Sequence, residues 1–487
     1  MITEILGISV CVAATYNETE ITKLTAFLLQ ESADPGVRNY VQLGLASIND
    51  INWSALPGVR WNSSTGYLQE VYWENKRLSG HLNLSDFAGL RYLYCAYNDL
   101  KSVNIKNASI LVVADFYEND LEAIDVTTNP LLNWLRLGFN HIRSVDVSNN
   151  PNLSFLCCTG NQVETLQVVN KKLLQTLYCA GNGLQSLDLD NCAKLETVSC
   201  DANALTSLQL HNLPNLKSLS CLRNALKELQ LTNSPLLESL VCYENELTDL
   251  DVSFHHQLTT LNCRNNQLTS LNLKGCERLT SLDCDNNFID ILDVTTLPLL
   301  TTLRCRYNNL SFFTLPPLTE QLNNNYSYMP QNCVFVDGEF DAIDFRDYYK
   351  INDHVSQFIW RYKNLTISPL ENNDGLFVFD EKYVGETIEC MVHNAVLPKL
   401  TMQFSVTFLQ GDPVGNKHPQ KDGLSVYASE RTIHVVTGSP ASVSIYSLQG
   451  VLWTKRSVDA GHTRIPAERG VSVVVVDGRA HYKVIVR

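Results

Sequence analysis

Asparagine recurs at Asn98, Asn119, Asn140, Asn161, Asn182, Asn203, Asn224, Asn245, Asn266, Asn287 and Asn308, eleven turns at a constant interval of 21 without exception. Three residues before each stands Cys95, Phe116, Leu137, Cys158, Cys179, Cys200, Cys221, Cys242, Cys263, Cys284 or Cys305. So strict a period makes every unit follow the same path, and no unit can bury its apolar side without the next. The unit runs Leu-x-x-Leu-x-Cys-x-x-Asn-x-Leu-x-x-Leu-x-Leu, as from Leu258 to Leu273. Its x-x-Leu-x-Cys stretch predicts a short parallel strand, Leu and Cys inward and the residues between them facing solvent. The Asn turns the chain off the strand, and its amide satisfies backbone groups that the turn would leave buried and unpaired. Eleven strands at roughly 4.8 Å make a curved sheet about 50 Å long.

The cysteine column admits three readings: metal ligands, disulfides or core filling. Zinc needs four ligands converging on one point, whereas these side chains form a row pointing the same way. Neighbouring strands would hold the β-carbons near 4.8 Å with parallel vectors, outside usual disulfide geometry of about 3.5–4.5 Å. Buried thiols filling a narrow solenoid are the expectation. The repeat is the leucine-rich-repeat pattern, and with Cys at the second inward strand position it resembles the internalin J-like cysteine-ladder surface proteins over about residues 90–318. That resemblance implies a right-handed α/β-type repeat solenoid with a parallel concave sheet.

Open ends of a solenoid need caps. Residues 15–66 are expected to form a helical N-terminal cap, with Ile21, Leu24 and Leu28 at helical spacing before the breaker Asp34-Pro35-Gly36. Trp53, Trp61 and an off-period unit, Tyr67 to Leu84 with Trp73 in the cysteine position and Asn75, are read as core. The array is assigned to 67–318, its regular repeats starting at about 90. Residues 1–14 are ambiguous: Ile5 to Ala14 resembles the end of a truncated secretory signal, yet Glu4 stands where a basic leader belongs, and an ordinary first strand also fits.

After Pro316-Pro317 the rhythm stops, and 319–410 alternates aromatic and β-branched residues with turns, a β-sandwich pattern. Gly385 to Phe408 resembles the late strands of immunoglobulin-like modules. Cys333, Trp360 and Cys390 suggest that core, although Trp360 lies too far from Cys333 and no Tyr precedes Cys390 by two residues, so a Cys333–Cys390 disulfide stays open. A polar linker occupies 411–424. The tail, 425–487, carries eight Lys or Arg against four Asp or Glu, while the whole chain has a formal charge of −14. Its Val443-Ser444-Ile445-Tyr446 with Gly450, and its closing Lys483-Val484-Ile485-Val486, resemble the C-terminal sorting domain of type IX secretion. Val471-Ser472 depart from that pattern. The resemblance implies passage across an outer membrane, removal of the tail and attachment to the bacterial surface. All-β sandwich domains thus follow the solenoid.

Enzymatic motifs are missing from the sequence, and neither a metal nor a cofactor is expected. The negative charge disfavours nucleic acid, and no apolar run reaches eighteen residues. His255-His256 fall between repeats and are expected to be solvated. Asp283 and Asp285 flank a buried Cys and face the sheet side, too few oxygens for calcium. Binding is expected on the concave face, where rigid strands present pre-ordered side chains. Its first repeats expose Tyr92, Tyr94, Tyr97, Tyr117, Trp134, Arg136, Phe139, Phe155 and Tyr178, the residue types of binding hot spots. An aromatic strip that merely packs on itself is the bland alternative. Thr197, Ser199, Ser218, Ser220 and Ser239 follow, and the last repeats carry a secondary patch of Arg264, Asp283, Asp285, Arg304, Arg306 and Tyr307. Likeness to internalins implies a monomeric, secreted adhesin that binds a host or neighbouring-cell protein, as in a biofilm. Competing readings are an intracellular inhibitor or scaffold, for which reduced thiols are suited, and a glycan-binding surface protein.

Overall fold

The computed structural model describes residues 16–49, 51–231, 233–317, 319, 321–322, 325–338, 342–409 and, in the tail, 425–429, 432–437, 441–447, 452–459, 461–466, 470–476 and 480–486. The signal-like segment 1–14 and the whole linker 411–424 lie outside the described residues. Two compact units are present, one reaching Cys333 and including His393–Met402, the other formed by Val334–Val392 and Gln403–Arg487.

The first unit is a parallel-sheet solenoid. Fourteen strands follow one another in a single sheet from Val59–Trp61 to Tyr326–Ser327, parallel from Leu68–Tyr72 onward. From Tyr92–Tyr94 to Thr302–Arg304 each turn contributes one three-residue strand, and the register advances by 21 residues, as in Thr260↔Ser281. All nine ladder cysteines, with Phe116 and Leu137, are buried, as are the residues two before them, leucine in every turn but those of Ala114 and Val198. Burial pushes the thiols of Cys158 and Cys263 up to about 12, so they stay protonated and inert at neutral pH. Turns and short bridges such as Ser186–Asp188 with Ser207–Gln209 form the returning limb. Twenty-one residues leave too few for a helix after the strand and its two turns.

The asparagine column closes the hydrogen bonding. Each Nδ2 donates to the carbonyl three residues back and to the equivalent carbonyl of the preceding turn, and Oδ1 accepts a backbone N–H of that preceding turn. For Asn266 the partners are Cys263 O at 3.0 Å, Cys242 O at 3.0 Å and Leu247 N at 3.0 Å. A further turn lies off the 21-residue lattice. Tyr326–Ser327 pairs with Leu303 and Arg304, and Gln331, one methylene longer, bonds Cys305 O and Tyr328 O while accepting from Leu310 N.

A second donor column runs along the returning limb. Asn129, Asn150, Lys171, Cys192, His255 and Cys276 each direct a side-chain donor at the carbonyl 24 residues earlier. His255 is therefore not solvated as expected. It is buried, and its Nε2 must be the protonated nitrogen because Leu231 O, 3.1 Å away, can only accept. Its neighbour His256 is exposed, as expected, and meets Gly275 O at 2.8 Å.

The N-terminal end is closed by the helix Glu18–Leu28, started by Asn17, whose side chain accepts the Glu20 N–H. Leu24, Phe27 and Leu28 face inward, and Phe27 stacks on buried Trp73, the residue in the first cysteine position. Trp53 and Trp61 are half-buried. Glu20 Oε2 accepts the Leu68 N–H at 2.8 Å, while burial raises its pKa to about 7.

In the second unit, the strands Val334–Gly338, Thr401–Phe408, Thr387–His393, Gln357–Tyr362 and Leu365–Ile367 form one sheet, and Ala342–Asp344, Leu376–Val378 and Glu371–Asn373 another. Their common core is aromatic, with Trp360 against Phe345, Phe377 and Phe379. Cys390 is buried, Cys333 is exposed, and the two are not bridged. The tail builds a three-stranded and a four-stranded antiparallel sheet, with Ile433, Val435, Val443, Ile445, Val458, Ile465, Val474 and Val476 clustered as its core. No helix among the described residues is long and apolar enough to cross a membrane.

Candidate functional site

Strand register sets the outward residues of the first turns in two columns. One runs Glu70, Tyr92, Val113, Trp134, Phe155, Thr176, and the other Tyr72, Tyr94, Asp115, Arg136, Cys157, Tyr178. Trp134 stacks on Phe155 with centroids 3.6 Å apart and planes 4° apart. That is closer than the strand spacing of about 4.8 Å, so the side-chain tips converge on this face. Tyr178 meets Phe155 edge-on, and Tyr72 stacks on Tyr94 at 5.3 Å.

A third aromatic row lies just past the strands. Tyr97, Tyr117 and Phe139 meet edge-to-face at 5.5 and 5.2 Å. The Arg136 guanidinium lies 3.7 Å from the Tyr117 ring centroid and reaches Asp115 at 3.2 Å. Glycine makes room beneath the rings: a Cβ at Gly138 would strike Tyr117, and one at Gly160 would strike Phe139. The residue before every ladder Asn has positive φ, and Gly160 and Gly181 occupy that position at 66° and 62°. Tyr97 and Phe139 occupy it at 59° and 54°, and Tyr307 at 54°. A bulky L-residue there costs roughly 1–2 kcal/mol. Yet Tyr97 and Phe139 remain 43% and 48% exposed, and Trp134 38%. About half of each ring is thus left uncovered, apolar area that a partner can bury.

Eight residues enclose a depression of about 500 Å³ on this face: Tyr72, Glu74, Tyr94, Val113, Asp115, Asn133, Trp134 and Arg136. Tyr94, Trp134 and Arg136 were expected in the site. The rest were not, because they matter only once the small Val113 opens a gap between Tyr92 and Trp134. Among the expected residues, Tyr92, Tyr94, Tyr117, Arg136, Phe155 and Tyr178 are half-buried.

The middle repeats offer little to grip. Ser199 and Ser220 donate their hydroxyls to Asp201. In the last repeats Asp283 and Asp285 face the sheet side but are only 8% and 6% exposed. Each lies beside an arginine of the next turn: Arg304 at 3.5 Å from Asp283 and Arg306 at 2.6 Å from Asp285. Arg264 lies over the Tyr243 ring, and Tyr307 is exposed. That patch is an internally paired strip with arginines at its surface. Among the described residues no group of three or more His, Cys, Asp or Glu side chains could hold a metal ion.

A family model described as a domain of unknown function, DUF6383, matches residues 413–486. No curated protein matches the sequence. Among solved structures, the chain is similar to the functional domain of InlJ from Listeria monocytogenes, which includes a cysteine ladder. That likeness has 20% identity and a TM-score of 0.43 and covers 70% of this chain and 90% of that one. It is also similar to YopM, a leucine-rich effector protein from Yersinia pestis, at 26% identity and a TM-score of 0.39, over 50% of this chain and 78% of that one.

Proposed function

We propose that this protein is a secreted surface adhesin that binds a protein partner through the aromatic half of its concave sheet. The observation that carries this is the set of exposed rings, above all Tyr97 and Phe139, kept in left-handed backbone positions that disfavour them. Aromatic and arginine side chains dominate binding hot spots because each buries a large area while keeping a polar handle. Secretion rests on the tail's likeness to type IX sorting domains at Val443–Tyr446 and Lys483–Val486. The ladder thiols are compatible with life outside the cell, since a buried, protonated thiol is a poor substrate for oxidants.

The test screens the purified full chain against arrays of extracellular proteins and glycans, with Trp134→Ala and Tyr94→Ala beside it. A protein ligand whose affinity falls about 30-fold or more in the variants, with melting temperature nearly unchanged, supports the proposal. Glycan binding alone, or variants that melt the array and leave affinity intact, overturns it. Cell fractionation with and without residues 425–487 tests the secreted location: surface protein that disappears with the tail is expected, and cytosolic protein in both cases contradicts it.

A further inference from the structure

The depression beside Trp134 has a shape and a charge that select one kind of group. Trp134 is stacked on Phe155 on one side, so its other face looks across Val113. Tyr94 is stacked on Tyr72, which leaves its other face toward Asp115. The strands of Tyr94 and Trp134 are second neighbours, about 9–10 Å apart. The two rings stand in neighbouring columns, so the depression is elongated and the free face of each ring borders it.

Its charge is negative. Glu70 is paired with Arg60, and Asp115 with Arg136, whose guanidinium is already committed to the Tyr117 ring. Glu74 is exposed on the rim, and no ion pair is made to it among the described residues. The Tyr94 hydroxyl is held above its ordinary pKa, first by burial and then by the nearby carboxylates Glu74 and Asp115.

We infer that this depression takes an arginine side chain of the partner, its guanidinium stacked on the free face of Tyr94 with its charge met by Glu74 and its stem lying along Trp134. The assignment rests on the sheet-face binding proposed above and adds the chemistry of what is bound. A guanidinium is planar, stacks on aromatic faces and is weakly hydrated, whereas a lysine ammonium is a compact, strongly hydrated point charge.

The probes are acetyl-Gly-Arg-Gly-amide and its citrulline counterpart, which keeps the planar shape and removes the charge. Both are titrated at low salt into the full chain, and the indole N–H resonance of Trp134 is followed by NMR. The arginine peptide is expected to bind about tenfold tighter. In Glu74→Gln that advantage falls to within twofold, while the resonance and melting temperature of the free variant stay those of the parent. Equal affinity for the two peptides, or an advantage that survives Glu74→Gln, overturns the assignment. So does an indole that responds to a chito-oligosaccharide and to neither peptide. If the peptides show no preference while Trp134→Ala still weakens the protein partner, the sheet-face proposal stands and the arginine assignment alone falls. If the preference is present but the partner ignores Trp134→Ala, the sheet-face proposal alone falls.

Discussion

Replacing Asn245 by alanine removes one rung of the amide ladder and leaves its neighbours in place. Its Nδ2 donates to Cys221 O at 3.0 Å and to Cys242 O at 3.1 Å, and its Oδ1 accepts the Leu226 N–H at 3.1 Å. Both carbonyls keep another donor after the change, from Asn224 and Asn266. The Leu226 N–H is left buried with no acceptor in its place. An orphaned buried donor costs about 1–3 kcal/mol, and each of the two weakened carbonyls adds about 0.5–1 kcal/mol, so the expected loss is about 2–5 kcal/mol. For an array of this size that lowers the melting temperature by about 4–20 °C. Asn245→Asp is expected to be worse near neutral pH, because a carboxylate cannot donate to the two carbonyls and carries an unpaired buried charge, about 3–5 kcal/mol. Its deficit shrinks on acidification as the carboxyl takes up a proton. Denaturant titration of the full chain, with hydrogen exchange at the Leu226 amide, reads both effects. A loss below about 0.5 kcal/mol in the alanine variant, or an aspartate tolerated as well as asparagine, refutes the ladder as the source of the array's cohesion.

Cys221→Ser puts a hydroxyl into the apolar row and is expected to cost about 1–3 kcal/mol, measured by the same titration. Alkylation mapped by mass spectrometry should leave the nine ladder cysteines unmodified in the native chain and modify them after denaturation. Native labelling at Cys221 contradicts their burial. The Glu20 carboxyl has a folded pKa raised from 4.5 to about 7. A raised folded pKa means that its contribution is fully present below pH 4.5 and is lost as pH climbs through the window to 7. Relative to Glu20→Gln, the parent should therefore lose up to about 3 kcal/mol between pH 4.5 and 7 and little beyond. Parallel stability–pH profiles of the two proteins contradict the burial of that carboxyl.

The legible part of this chain is the part that every turn repeats. Cysteine and asparagine columns show because each turn imposes the same space and the same three hydrogen bonds, so asparagine fits every turn and cysteine all but those of Phe116 and Leu137. The returning-limb column was hidden for the opposite reason. Its task, a donor for the carbonyl 24 residues back, is met by Asn129, Lys171, Cys192 and His255 alike, and so a histidine pair between repeats looked like surface. Counting 21 from Asn150 through Lys171 to His255 would have placed that ring inside. The left-handed position before each ladder Asn was equally masked. The turn imposes that backbone angle, so glycine at 160 and 181 is the exception and Tyr97, Glu118 and Phe139 give no hint. Tyr328 and Gln331 stand 23 residues after Cys305 and Asn308, and a longer amide absorbs the difference. For the site, outward alternation identified the rings, but not the slot, which exists because Val113 is small. Alternation also put Asp283 and Asp285 on the outer face without revealing that Arg304 and Arg306 of the next turn pair with them.

Hydrogen–deuterium exchange on the full chain, free and with the protein ligand returned by the array screen, locates the contact without altering any side chain. The account predicts slowed exchange in the segments 92–97, 113–118, 134–139 and 155–160, and none in the returning limb around His255. Protection confined to the returning limb, to the last repeats near Arg304, or to the sandwich beyond residue 334 would contradict it.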